Sequence, residues 1–100
     1  MTDVTPNSAV IELAKLSRQL DEAGFKLHDA ERKAVNQRHA FTIAQAKAFL
    51  TAEGSVQARQ AQATIDTANE RISAELAEAE LRILKSDIRI LENRMDVGRS

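Results

Sequence analysis

Cysteine is absent, as are tryptophan and tyrosine, and the chain of 100 residues carries only three phenylalanines, three glycines and one proline. Without cysteine there is no disulfide, no thiolate nucleophile and no thiolate metal site, a usage that fits a reducing compartment. Charge of one sign is not in excess: the net charge is −1, which gives no global electrostatic case for nucleic acid or an anionic membrane. No apolar run approaches the roughly 20 residues that a membrane-spanning helix needs. The segment Met1-Thr2-Asp3-Val4 has neither a basic nor an apolar leader region, so no signal peptide is expected. With so little proline and glycine, few positions can interrupt a helix.

What is there is a spacing. Apolar residues recur in alternating steps of three and four from Leu13 through Leu16, Leu20, Ala23, Leu27, Ala30 and Ala34. Gln37 then interrupts, and Phe41, Ala44 and Ala48 follow. After Glu53-Gly54-Ser55 the repeat resumes at Ala58, Ala61, Ile65, Ala68 and Ile72. It continues in a shifted frame through Ala77, Leu81, Leu84, Ile88, Leu91 and Met95. Steps that average about 3.5 residues are the period of helices packed along a seam. The break sits near mid-chain, so two matched arms can fold back on one another. The expected fold is all-α, an antiparallel two-helix coiled-coil hairpin. Its seam is built from Leu13, Leu16, Leu20, Leu27, Phe41, Ile65, Ile72, Leu81, Leu84, Ile88, Leu91 and Met95.

The boundaries follow from capping chemistry. Thr5-Pro6 reads as an N-cap with proline at the first helical position, and Ser8 is an alternative cap. Gly54 suits the left-handed position that ends a helix, and Ser55 suits the N-cap of the next. The expected organisation is a frayed segment 1–7 and a single domain 8–97, with a tail 98–100. Within the domain a helix runs over 8–52, a turn over 53–55 and a second helix over 55–97, which Gly98 ends. Gly24 is the one weak point of the first helix, which is expected to continue through it. Each arm would span roughly 65 Å at 1.5 Å per residue.

Charge supports the antiparallel arrangement. Ser8–Ala52 holds seven basic against five acidic side chains, and Ser55–Val97 holds six against eight. Folding about Gly54 should set Arg32, Lys33 and Arg38 across from Glu70, Glu75 and Glu78. The seam residues are small near the turn and large near the termini, so stability should concentrate at the terminal end.

Beyond the seam, Leu76, Ile83, Ile90 and Val97 form a second stripe on the second helix, and Val10 and Ile11 add apolar surface at the same end. Surplus apolar surface of this kind points to self-association, a dimer or higher with a four-helix layer at the terminal end, or to a protein partner. Gln37, with Asn36 and His39 beside it, could set register within the seam. His28 and His39 share a helical face but stand three turns apart, about 16 Å, too far to share a metal. Arg82, Lys85, Arg89 and Arg99, with Arg94 nearby, could meet phosphate. They lack an aromatic platform, and Asp87 and Glu92 dilute them. No glycine-rich phosphate loop, nucleophile elbow or metal-ligand cluster is present, so neither a catalytic residue nor a cofactor is expected.

Two stretches bear a resemblance. Ala52-Glu53-Gly54-Ser55-Val56 with Arg59, and Met95-Asp96-Val97-Gly98-Arg99-Ser100, resemble a group of small proteins encoded by bacteriophages of actinobacteria. The stretch from Arg71 through Ala74-Glu75-Leu76-Ala77-Glu78-Ala79 to Arg82, Leu84 and Lys85 is similar too. The resemblance implies a product made in the host cytoplasm and transfers no catalytic residue. It leads us to expect a non-catalytic interaction or adaptor protein that binds itself and a host or phage protein through helix faces. An accessory nucleic-acid-binding protein of phage replication or recombination and a structural component of the virion are the alternatives. A secreted helical hairpin similar to the WXG100 type is a further alternative; that family has a Trp-x-Gly turn and a tail tyrosine, whereas Ala52-Glu53-Gly54 keeps only the glycine and no tyrosine is present.

Overall fold

The computed structural model describes residues 6–99, with side chains over 7–98. It contains three helices, α1 (Pro6–Thr51), α2 (Val56–Asp66) and α3 (Ala68–Arg99), and no strand among the described residues. Pro6 opens α1, where its missing N–H costs nothing because the first helical N–H groups have no intrahelical partner. The cap expected of Thr5, and the fraying expected of Met1–Val4, fall outside the described residues. Pro6 and Asn7 are helical rather than part of a leading segment, and α3 runs through Gly98 to Arg99 rather than stopping before it.

Helix α1 passes through Gly24 without interruption, and a Cβ placed there would meet nothing within 4 Å. Gly24→Ala should therefore stabilise the fold by roughly 0.5–1 kcal/mol, because alanine gives up less backbone freedom in a helix. A thermal melt checks this. An upward shift of several degrees is expected, at about 4–8 °C per kcal/mol for a domain of this size. A lowered midpoint would mean that the open space at Gly24 is needed.

The turn follows the capping logic closely. Gly54 has φ of 107°, the left-handed region, and Ser55 is extended with its hydroxyl accepting a hydrogen bond from the Ala58 amide at 3.2 Å. Arg59 closes the turn from the other side. Its Nε donates to the Phe49 carbonyl at 3.1 Å, and its guanidinium lies 4.5 Å from the Phe49 ring centroid. A charge-assisted bond and a cation–π contact on one half-buried side chain tie the end of α1 to α2.

The second arm is not one helix. At Thr67 (φ −111°, ψ 19°) α2 ends, and α3 begins at Ala68. The Thr67 hydroxyl donates to the Ala63 carbonyl at 2.6 Å, and the Thr67 amide donates to the same oxygen at 3.1 Å. A threonine hydroxyl that competes for the carbonyl four residues back bends a helix. Thr67 is buried, which keeps water from offering that hydroxyl another partner.

Two compact units divide the chain. The first unit joins α1 up to Asp29 with α3 from Arg82, and the second comprises Ala30–Leu81. In the first unit the covered positions are Leu13, Leu16, Leu20, Ala23 and Leu27 on α1, and Leu84, Ile88, Leu91 and Met95 on α3. Leu16 is buried and the others are half-buried, because two helices cannot enclose a leucine on all sides. Leu13 packs on Gly98, where a Cβ would come within 3.0 Å of its Cδ2.

In the second unit the covered positions are mostly small. Ala30, Ala34, Ala63, Ala74, Ala77 and Thr67 are buried, and Gln37, Phe41, Ala44, Ala48, Arg59, Glu70 and Leu81 are half-buried. Lys33 pairs with Glu80 at 3.5 Å and Arg38 with Glu78 at 2.6 Å, so α1 and α3 run in opposite directions within this unit. Arg38 also lies 5.5 Å from the Phe41 ring centroid.

Three corrections to the sequence reading come from these positions. Ile65 and Ile72 are not in the covered row: they are 69% and 47% exposed, and Ala58 and Ala61 are exposed too. Ala63, Thr67, Glu70 and Ala74 take those places, in steps of three and four that continue without a frame shift into Ala77, Leu81 and Leu84. The charge partners differ as well. Lys33 meets Glu80, while Glu75 lies 3.8 Å from Arg71 on its own helix. Level positions are offset from a fold about Gly54, which would set Lys33 against position 75 and Arg38 against position 70; their partners Glu80 and Glu78 stand five and eight residues further along.

Candidate interaction surface

Chemistry-bearing groups are sparse. Among the described residues no three of His, Cys, Asp and Glu stand close enough to hold a metal ion. No helix of the described residues is long and apolar enough to cross a membrane. His28 and His39 are both exposed. Arg82, Lys85 and Arg89 are exposed, with the exposed carboxylates of Glu80, Asp87 and Glu92 among them, and the Arg99 side chain lies outside the described side chains.

Apolar surface is where the chain departs most from a closed fold. On α3, Leu76 is 59% exposed, Ile83 60%, Ile90 48% and Val97 76%. Residues seven apart lie on one flank of a helix, so these four form a stripe, turned about 120° from the covered row at Leu84, Ile88, Leu91 and Met95. The same α3 residues cannot serve both faces, which is why the stripe remains in water.

In the first unit the stripe borders a groove of about 760 Å³. Ala9, Leu13, Leu16, Ile90, Val97 and Gly98 supply its apolar floor, and Glu12 and Arg94 stand at its edges. Val10 and Ile11 are exposed but do not line it. At 100° per residue they point away from the side of α1 that carries Glu12. The surface expected from Val10, Ile11, Leu76, Ile83, Ile90 and Val97 together is thus split, with only the α3 members on one flank.

The second unit exposes further apolar side chains that the spacing did not single out. Leu50 (72%) and Val56 (61%) flank the turn residues Glu53, Gly54 and Ser55, and Val35 is 67% exposed. A groove of about 710 Å³ there is lined by Thr42, Gln45, Phe49, Leu50, Gln60 and Thr64, all uncharged. In the first unit Phe25, at 76%, was also missed. No signal in the sequence separates Phe25 from a seam residue except its offset from the three-four frame. No protein-family model matches the chain, and no curated protein or solved structure matches it.

Proposed function

We propose that this protein is a non-catalytic interaction protein: an antiparallel coiled-coil hairpin that self-associates and binds a protein partner through helix faces. The observation that carries the reading is the exposed stripe Leu76, Ile83, Ile90 and Val97 on a single helix. Burying a large aliphatic side chain contributes roughly 1.5–3 kcal/mol, so four of them, each about half to three-quarters exposed, leave several kcal/mol of hydrophobic free energy unused. Helix-in-groove recognition uses such spaced anchors.

The similarity of the turn and tail to small actinobacteriophage proteins suggests a phage product acting in the host cytoplasm, with a host or phage protein as the further partner.

The test is absolute mass by light scattering over a concentration series, for wild type and for Ile83→Glu/Ile90→Glu. A wild-type dimer or larger that falls to the mass of one chain in the variant is the expected result. A wild type that stays at the mass of one chain to millimolar concentration would end the self-association reading.

A further inference from the structure

The strip of α3 from Ile83 to Val97 has a pattern that reads the same in both directions. Its apolar members are Ile83, Ile90 and Val97, with Ile90 at the centre and the other two seven residues to either side. On one flank of the stripe stand Asp87 and Arg94, seven residues apart, one on each side of that centre and opposite in charge; Arg94 also lines the groove. Both are exposed, and neither makes an ion pair among the described residues. The whole strip lies within the first unit.

We infer that this strip docks onto the same strip of a second copy, with the two α3 helices antiparallel and the two-fold axis passing beside Ile90. The inference rests on the self-association reading above and specifies its surface, direction and register. In an isologous dimer, residue i meets j and j meets i. Here the axis puts Ile90 on its counterpart and Ile83 on Val97 of the other copy, so the apolar side chains cover one another twice over. It also puts Asp87 against Arg94 of the other copy, in two symmetric places. A parallel pairing in register would set Asp87 on Asp87 and Arg94 on Arg94, and like charges so placed select against it. The groove beside the stripe completes the fit, since Ile90, Arg94 and Val97 belong to both.

The experiment is a charge exchange read by sedimentation equilibrium, with circular dichroism to confirm that each variant keeps its helix content. Asp87→Arg and Arg94→Asp, made singly, each set like charges together and should weaken the dimer by about tenfold or more. The double variant Asp87→Arg/Arg94→Asp restores opposite charges and should return the dissociation constant to within about threefold of wild type. Singles that dissociate with a double that does not recover would overturn the antiparallel register. A wild-type oligomer that is indifferent to all three variants, yet is broken by Ile83→Glu/Ile90→Glu, would overturn this inference and leave the self-association reading in place. A wild type that is a single chain at every concentration would overturn both.

Discussion

Ala74→Leu should lower the stability of the fold by about 3 kcal/mol, while Ala61→Leu should change it by less than about 0.5 kcal/mol. Both substitutions add the same three carbons to a helix and have nearly the same helix propensity, so the comparison isolates packing. Ala74 has 0% exposure, while Ala61 is exposed. Ala77, one turn along the same row, and Ala34 on α1 are also buried. The pairs Arg38–Glu78 and Lys33–Glu80 tie α1 to α3 on either side of them. Small residues on both helices let the backbones approach closely, and that closeness is what an inserted leucine opposes. The added side chain must force α1 and α3 apart, loosening the cover on Ala34 and Ala77 together. A melting temperature lowered by more than about 10 °C is expected for Ala74→Leu and little change for Ala61→Leu. Equal effects would mean that the covered row of the second unit is not the one described.

That pair of alanines also marks where the sequence could be read and where it could not. In α1 the positions spaced by three and four from Leu13 to Ala48 are the covered ones, because an uninterrupted helix keeps its frame. In the second arm the eye goes to Ile65 and Ile72 as the largest apolar residues available, and they are exposed. The fully buried places there are taken by small side chains, Ala63, Thr67 and Ala74. Counting back from Ala77 in steps of four and three lands on Ala74, Glu70, Thr67 and Ala63 without any shift of frame. The pattern was therefore present, but hidden by two polar residues that a search for hydrophobic spacing passes over. Thr67 was invisible for a further reason. Thr42 and Thr64 bond the carbonyl four residues back in the same way without breaking their helices; they are exposed and Thr67 is buried, so the break goes with burial, which the local sequence does not announce.

Capping residues were legible from their own chemistry. Gly54 takes the left-handed conformation that disfavours any side chain, and Ser55 presents the oxygen that an N-cap needs. Gly98 was misread by the same rule: it lies within α3, and its lack of a side chain serves the approach of Leu13. The candidate surface was legible on α3, where a spacing of seven sets the stripe on one flank whatever the tertiary packing. It was not legible at Val10 and Ile11, because adjacency in sequence says little about which side of a helix faces a groove built with another segment.

Glu70→Met should raise stability by roughly 1–3 kcal/mol, the converse of the alanine result and at a neighbouring place in the same row. Glu70 is half-buried in the second unit, and its Oε2 is shielded from solvent with no hydrogen-bond partner among the described residues. A carboxylate oxygen in that position has given up its water without gaining a protein donor, and that loss is the main term the substitution removes. Methionine keeps the length of the side chain and is flexible enough to lie along Phe41 and Ala74 without forcing the helices apart. Glu70→Gln should gain less, since the amide removes the charge but leaves a polar group in the same dry position. Chemical denaturation of the three proteins decides the matter, read as midpoints at constant slope. The order Met above Gln above wild type is expected. A wild type more stable than both would mean that Glu70 holds a partner that its packing against the second unit does not reveal. A carboxylate kept at a cost in stability would then be a register device of the kind that Gln37, half-buried on α1, also suits.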